Sequence, residues 1–411
     1  MKKNAVRKKQ SKKPEKEETS ARKFKPPSLS RLRAQPFQLA AAALFLIIFV
    51  GAILLVNRPD PNASPTDASL KQYAIGTVVA VTSDNTAPDA WTEGRKIGTQ
   101  VLQIKILTGA HKGAVLAGTN YATAYSGVIA KVGTRLTVLL DNDENGNLII
   151  SSVFNYDRGA VLIGVLLVFI ALLALIGGKK GVMALLGLAF TLASLWFLLI
   201  PLLKRGWPTV PTAVLFVALA AAVSLYVVAG PTKKTLSAII GCVGGVAAAW
   251  LCVVIVDAIT PINGFNMNEA ESLVLLAKDD GLRISGLLAA GVLIASLGAV
   301  IDVSMTIASA CGELVSIDPT LDRRRLFRSG MNIGRDAMGA MAATLILAFV
   351  GSSLNMLILF RVYDFSYLNI MGSDLVTIEF LQGIGGSIGI VCTVPLVAFV
   401  SSLLMVKKRA K

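Results

Sequence analysis

The chain has 411 residues, of which 54% are hydrophobic and only 16% are charged. A soluble domain would carry about a quarter charged residues, so this composition excludes an ordinary soluble protein. The formal net charge of +15 does not indicate a nucleic-acid partner, because most Lys and Arg residues lie in the N-terminal segment and in short loops beside apolar blocks.

The N-terminal part of the chain predicts a tail followed by a membrane anchor. Residues 1–36 are rich in Lys and Arg and contain little that can pack, which predicts a disordered cytoplasmic tail. Residues 37–56 are apolar and long enough to span a bilayer. A cleaved signal peptide is the alternative, but the long basic stretch before the block and the lack of an obvious cleavage site favour an uncleaved signal anchor.

Residues 57–158 change in character and predict a small all-β domain. Apolar and polar residues alternate there, and 141–147 is a turn rich in Asp, Asn and Gly. Five strands in about a hundred residues favour a small closed or partly open barrel, for which an OB-like topology is one option. The predicted strands are Tyr73–Thr82, Gln100–Leu107, Ala114–Ala117, Arg135–Leu140 and Leu148–Phe154.

Residues 159–406 read as seven further membrane spans, which with 37–56 makes about eight. We expect the span that starts at Ile284 to continue as a helix to about Leu314. The predicted spans are Gly159–Gly178, Val182–Leu203, Thr209–Gly230, Leu236–Ile259, Ile284–Ile307, Ala337–Phe360 and Phe380–Val406. The predicted fold is therefore a mainly α membrane protein with a small all-β domain between helices 1 and 2.

The basic residues of the short loops predict the orientation. With the N-terminus inside, the inner loops and the 407–411 tail hold thirteen Lys or Arg residues, against five in the outer loops. This excess predicts cytoplasmic N- and C-termini and an extracytoplasmic 57–158 domain. The inner residues are Lys179, Lys180, Lys233, Lys234, Arg323, Arg324, Arg325, Arg328, Arg335, Lys407, Lys408, Arg409 and Lys411. The outer residues are Lys204, Arg205, Lys278, Arg283 and Arg361.

Ionisable residues inside spans cost roughly 3 kcal/mol each on insertion scales, so each of them requires an explanation. In the sixth span, Asp302 shares one helical face with Thr306, Ser309 and Glu313. The same face carries small residues nearer the outside: Gly291, Ala295 and Gly298. Small residues allow close helix packing, and polar ones avoid lipid.

The seventh and eighth spans add further polar candidates. Asn332 and Asp336 share a face of the seventh span beside Arg335, and Glu379 and Gln382 open the eighth. The glycine-dense stretch 383–387 predicts a bent or broken helix, which is tolerated at membrane depth against protein or a water-filled cavity. The glycine-rich 241–245 stretch of the fifth span favours close packing over a phosphate loop, since it lacks the Lys and Ser/Thr of a P-loop.

A purely structural interpretation of these residues stays open. Asp302 or Glu313 would then pair with Arg335 and lock the sixth and seventh spans together. Asp336 and Arg335 would be solvated charges at the inner boundary. Asp257 and Glu379, near outer helix ends, would be interfacial.

Catalytic and metal sites are not expected. The four cysteines lie in apolar blocks without a metal-binding spacing, and His111 is the single histidine. The sequence shows no ATP-binding motif and no Gly-x-Gly-Asp motif of an intramembrane protease. Because no nucleophile, base and orienting group occur together, we expect no enzyme, no cofactor and no metal.

Six short motifs stand out along the chain: Tyr156–Arg158, Gly298–Ser309, Asn332–Asp336, Leu345–Leu347, Gly386–Gly389 and Val394–Pro395. In these motifs and their order, the chain resembles the YibE/F-like family of bacterial membrane proteins over about residues 70–406. One departure is Ala340, where the resemblance implies a hydroxylated residue. The resemblance implies a multi-pass protein of a bacterial cell membrane with an exported N-terminal domain, and it does not imply a mechanism.

The leading functional hypothesis is a secondary transporter or permease for a small ion or solute. Asp302 would bind a cation or proton, and Thr306 and Ser309 would coordinate it through hydroxyl oxygens. Glu313 and Asp336 would gate the inner exit, with Arg335 as a switching partner, and the bent eighth helix would supply carbonyl groups.

The alternative hypothesis is a non-enzymatic scaffold or sensor whose β domain binds an envelope partner. Under that hypothesis the polar stripes join helices to one another. Besides the lipid bilayer, the expected partners are a small solute, a second copy of the chain or an envelope protein, and no nucleic acid.

Overall fold

The structure is a computed structural model that describes residues 44–58, 71–125, 127–143 and 148–406, apart from the side chains of 150 and 276–280. The predicted tails 1–36 and 407–411, and the tip of the predicted 141–147 turn, lie outside the described residues. The chain divides into two units, 1–55 and 56–411. The first contains most of the apolar helix α1, Leu44–Val56, in which the rings of Phe45 and Phe49 stack.

The second unit begins with a small β-barrel. Its strands are β1 Lys71–Asp84, β2 Ala87–Pro88, β3 Lys96–Ile106, β4 Val115–Ala122, β5 Arg135–Asn142 and β6 Leu148–Tyr156. All five predicted strands are present, and the short β2 was not predicted. The five long strands close in the order β1-β5-β6-β4-β3-β1, with β4 and β6 as the one parallel pair. This is the order of an OB-like barrel.

The barrel is filled by alternate residues of its strands. β5 alternates in burial along its whole length, so that Leu136, Val138 and Leu140 point inward. They pack with Leu102 and Ile104 of β3 in a core that no solvent reaches. This two-residue period places every second side chain on the same face of a strand, which is why the pattern could be predicted from the sequence.

One end of the barrel is stabilised by a buried network of hydrogen bonds centred on Gln100. Its side-chain amide donates to Asp84 Oδ2 (3.0 Å) and to the carbonyl of Ala130 (3.3 Å). Its Oε1 accepts from Asn120 Nδ2 and from the backbone N–H of Ala130, both at 2.9 Å. The network ties the segment around Ala130 to two strands, because a buried amide must find partners when water is excluded.

Replacing Gln100 by Ala should destabilise the barrel by about 1–3 kcal/mol, because its buried partners would lose their hydrogen bonds. Gln103→Ala is the matched control on the same strand: Gln103 is only half-buried, and we expect a change within about 0.5 kcal/mol. Hydrogen exchange of the β3 and β4 amides in the full chain measures both effects. Equal protection in the two variants would contradict a structural role for the network.

Asp84 should make the barrel sensitive to acid. Hydrogen bonds from Thr86 and Gln100 hold the pKa of the Asp84 carboxyl below its ordinary value of 3.8. A lowered pKa means that the ionised form favours the folded state. This contribution is complete above the ordinary pKa and is lost as the pH falls through the lowered one. Asp84→Asn should therefore reduce the fall in melting temperature between about pH 5 and about pH 3, followed by near-UV circular dichroism.

The rest of the second unit is helical. Its helices are α2 Gly159–Lys204, α3 Thr209–Ala229, α4 Lys233–Ile259, α5 Ala270–Asp280, α6 Leu287–Ile317, α7 Arg323–Ser352, α8 Leu354–Val362, α9 Tyr367–Met371 and α10 Asp374–Met405. Among the described residues, six of these helices are long and apolar enough to cross a membrane: α2, α3, α4, α6, α7 and α10.

The structure thus contains six candidate spans where the sequence predicts eight. The two predicted spans 159–178 and 182–203 form the single helix α2, whose backbone departs from helical geometry at Gly178 (φ 54°, ψ −137°). The described part of the predicted anchor, α1, is too short by itself to count.

Two other expectations are corrected. The predicted seventh span, 337–360, begins 14 residues late, because the arginine-rich segment assigned to a loop forms the first turns of α7. It also runs past the end of α7 at Ser352 into the separate helix α8. The glycine-dense stretch does not interrupt the last helix; Leu381–Gly385 forms a π-helical turn inside α10, which continues to Met405.

Helix α10 packs against α4, α6 and α7 and lies at the centre of the helical part. Its crossing with α4 is close because glycines face it: a Cβ on Gly241 would meet Val397, and one on Gly245 would meet Thr393 and the carbonyl of Gly389. The predicted role of the 241–245 glycines in close packing is confirmed. Glycine suits this place because a missing side chain lets two backbones approach.

Candidate functional site

A stripe of small and polar residues runs along α6. The helix forms because 287–317 is a long apolar run without proline, and it ends at Asp318, directly before Pro319. From Gly291 to Glu313 the stripe covers about 33 Å at 1.5 Å per residue, close to the roughly 30 Å of a bilayer core.

The stripe faces away from the packed core of the helices. On the opposite face of α6, Leu293, Val300 and Ile307 are fully buried in the main hydrophobic cluster. The exposed stripe residues are Gly298, Asp302, Thr306 and Glu313, while Gly291, Ala295 and Ser309 are half-buried. A soluble protein would expose such a face to water, but here the helix is a candidate membrane span.

Asp302 is the stripe residue whose side chain is most costly to place in a membrane. It stands at the midpoint of α6, so it is about 22 Å from either end of the helix. Among the described residues, no side chain or backbone group forms a hydrogen bond or ion pair with its carboxylate. A charge at this depth costs roughly 3 kcal/mol or more against lipid. The carboxylate therefore requires water or another protein surface beside it.

The α7 candidates do not pair with those of α6. Asn332, Arg335 and Asp336 are exposed on α7. Within the described part of the chain, neither Asp302 nor Glu313 forms an ion pair with Arg335. The alternative in which such a pair locks the two helices is therefore not seen in this structure. Glycines join these helices instead, since a Cβ on Gly334 would meet Ile307.

The π-helical turn of α10 approaches the end of the stripe that lies near the start of α6. The Gln382 amide nitrogen lies 3.7 Å from the position that a Cβ on Gly291 would occupy. One turn earlier, Glu379 Oε2 is shielded from solvent and has no hydrogen-bond partner. π-helical turns occur often at functional sites. Gln382 lies within this turn, and Glu379 lies just before it. The interfacial interpretation of Glu379 does not account for a carboxylate oxygen without contact to solvent.

A cavity of about 240 Å³ lies beside the start of α3, the end of α4 and the start of α6. Asp257, Asn263 and Ser285 are the polar residues of its lining, and Asp257 Oδ1 accepts a hydrogen bond from the backbone N–H of Ile262 (3.3 Å). The interfacial interpretation of Asp257 agrees with its exposure and this bond. Asn263 was not predicted; its place after Thr260-Pro261, in a loop between two spans, was the available signal.

The loop that contains Asn263 is well fastened. Asn263 and Asn266 cap a short 3₁₀ turn reciprocally, and Asn266 Nδ2 donates to Asp374 Oδ2 at 2.8 Å. This bond links the loop to the first turn of α10. The start of α10, which leads to Glu379 and Gln382, is thereby held in position.

Across the described ranges, no three His, Cys, Asp or Glu side chains are grouped to hold a metal ion. The four cysteines are free and lie in α4, α6 and α10. Any cation at the stripe would therefore be held by Asp302 with hydroxyl and backbone oxygens.

Comparison with known proteins shows a family for this chain. The model of a family described as YibE/F-like protein matches residues 165–407, more than half of the chain. The match includes α6, α7 and α10 with all nine candidate residues, and it leaves out the barrel, to which the sequence extended the resemblance. No curated protein and no solved structure matches the chain.

Proposed function

Because this chain belongs to the YibE/F-like family, we propose that it is a multi-pass protein of a bacterial cell membrane that moves a small ion or solute. In this proposal eight helices span the bilayer, both termini are cytoplasmic, and the barrel is extracytoplasmic. The domains are those expected from the sequence: 1–36, 37–56, 57–158, 159–406 and 407–411.

The length of α2 supports the count of eight spans. Its 46 residues would extend about 69 Å as one straight helix, about twice the thickness of a bilayer core. The break at Gly178 falls near its middle and is followed by Lys179 and Lys180. A turn at the cytoplasmic surface fits such a sequence, because short inner loops concentrate Lys and Arg.

The stripe of α6 is the observation that carries the transport proposal. It is formed by small and polar residues, is long enough to cross a bilayer core, and is left uncovered by the helices packed behind it. A water-filled path beside α6 would satisfy the Asp302 carboxylate at the lowest cost.

In the proposed path each candidate residue has a place. A cation or proton would bind Asp302, with the hydroxyl groups of Thr306 and Ser309 as further ligands. Glu379 and Gln382 would stand at the outer end. The residues at the inner end would be Glu313, Asn332, Arg335 and Asp336.

Flux through reconstituted vesicles tests the proposal. The purified full chain would be reconstituted in liposomes that contain a pH-sensitive dye or, in separate samples, a dye for Na⁺ or K⁺. An outward or inward gradient of the corresponding ion would then be applied. We expect protein-dependent movement of at least one ion. No movement of any ion or of a panel of small charged solutes would remove the transport proposal.

A second candidate, a scaffold or sensor, rests on the barrel surface. Trp91 and Tyr125 are 94% and 97% exposed, and Arg95 Nη1 ties their two loops together by donating to the carbonyl of Ala124 (2.9 Å). Exposed aromatic side chains are favoured at binding surfaces. If the second candidate is right, Trp91→Ser with Tyr125→Ser would abolish binding of the envelope partner. If the first candidate is right, the same double variant would leave ion flux unchanged. For neither candidate do we propose a catalysed reaction.

A further inference from the structure

A second cavity, of about 370 Å³, opens where α7 begins and α10 ends. Arg323, Arg324 and Phe327 line it from α7, and Phe399, Ser402 and Leu403 line it from α10. Its lining is almost entirely hydrocarbon, and two arginine side chains stand at one of its ends. It is separate from the α6 stripe, none of whose residues lines it.

The two arginines have no acidic partner that would neutralise them. Asp322, the nearest carboxylate in sequence, caps α7 by accepting from the backbone N–H of Arg325 (2.7 Å). Across the described residues, neither Arg323 nor Arg324 forms an ion pair. Both side chains are exposed, as are Arg325 and Arg328 in the next turn. The mouth of the cavity is therefore strongly positive.

The walls of the cavity are apolar and remain uncovered. Phe399 is 53% exposed and Leu403 41% exposed, both on the last two turns of α10. Exposed aromatic and aliphatic side chains beside free arginines fit a ligand with an anionic head and a hydrocarbon body. Arginine binds phosphate oxygens in a planar, two-point geometry that suits such a head.

The position of the cavity indicates that this ligand is a membrane lipid. α7 and α10 are both candidate spans, so their adjoining ends lie at the membrane surface. Basic pockets between spanning helices at the cytoplasmic surface are suited to lipid headgroups.

We propose that this cavity binds one anionic phospholipid, with its phosphate on Arg323 and Arg324 and its acyl chains against Phe399 and Leu403. The lipid would hold the start of α7 to the end of α10. The inference rests on the cavity and on the proposed membrane placement of α7 and α10, and it does not depend on the transport proposal.

Lipid titration of the purified, delipidated full chain tests the proposal, with native mass spectrometry as the readout. We expect saturable binding of one phosphatidylglycerol in preference to phosphatidylcholine. Arg323→Gln with Arg324→Gln should weaken phosphatidylglycerol binding about 30-fold, since each basic residue near the surface contributes about a factor of five to six.

The matched control removes two charges from the same turns of α7 but outside the cavity. Arg325→Gln with Arg328→Gln should weaken phosphatidylglycerol binding less than about threefold. Phe399→Ala should weaken the binding of the lipid without changing that of inorganic phosphate. All variants should keep the wild-type elution volume and melting temperature in detergent without added lipid, which separates lost binding from lost folding.

Three outcomes would overturn the proposal. Equal weakening in the two double variants would indicate diffuse attraction to the basic surface. Equal affinity for phosphatidylcholine would remove recognition of an anion. Competition by inorganic phosphate at the concentration of the lipid would indicate a soluble phosphate ligand, because buried acyl CH₂ groups should make the lipid bind at least about tenfold more tightly.

Discussion

Asp302→Asn is expected to reduce ion flux in reconstituted vesicles by at least about tenfold while the protein accumulates to near wild-type levels. The amide keeps the size of the side chain but cannot carry the negative charge that binds a cation or releases a proton. Because Asp302 is exposed on the stripe and has no partner among the described residues, its replacement breaks no contact of the packed core. Flux is measured with the dye-loaded liposomes, and abundance by fluorescence-detected gel filtration.

Ser304→Ala is the matched control for this prediction. Ser304 lies two residues away on the packed face of α6, where its hydroxyl is buried without a hydrogen-bond partner. Removing that hydroxyl should leave flux unchanged. Thr306→Val, on the stripe, should lower flux and leave abundance intact.

The outcomes of the Asp302 experiment separate the two functional candidates. If Asp302→Asn has wild-type flux, Asp302 takes no part in transport. If flux and abundance fall together, the carboxylate stabilises an interface, as the scaffold candidate requires. A partner surface that covers the stripe, such as a second copy of the chain, would explain that result.

Gly245→Ala should destabilise the helical part by about 1–3 kcal/mol or more through overpacking. An added Cβ would meet the Thr393 side chain and would lie 2.9 Å from the Gly389 carbonyl oxygen, a backbone atom that cannot rotate away. Since α10 also packs on α6 and α7, its displacement would loosen the whole helical core. The melting temperature in detergent, followed by light scattering, measures the effect.

Gly164→Ala provides the comparison for a helical glycine in open space. No atom lies within 4 Å of the position of its Cβ, and α2 exposes most of its side chains. Alanine there should be neutral or stabilise by up to about 1 kcal/mol, since alanine favours the helix over glycine. A similar loss in both variants would show that the α4–α10 crossing is not tightly packed.

Much of the fold was predictable because its signals are local. Long apolar blocks gave the helices, since a bilayer core requires about 20 such residues, and two-residue alternation gave the five long strands. The arginine-rich start of α7 was missed because charge in a loop and charge in the first turns of a helix look alike in sequence. The π-helical turn of α10 was missed because glycines favour several backbone shapes.

The shared face of the α6 candidates was predictable, but the direction in which that face points was not. Helical spacing alone placed Asp302, Thr306 and Glu313 on one face, because the 3.6-residue period depends on nothing outside the helix. Whether that face turns toward the other helices depends on which residues pack behind it. In the structure the α6 stripe points away from the other helices. The proposed path therefore lies on the outer side of the helical bundle and not between its helices.

By itself, the sequence determined the class of protein, the five long strands of the barrel and the family, since composition, period and motif order are properties of the chain. The tertiary structure alone decided that the barrel closes through β1 and β3, that α10 lies at the centre, and that Arg323 meets Phe399 in one cavity. Those arrangements join residues far apart in the chain, and their free energy comes from steric fit between surfaces that no local pattern records.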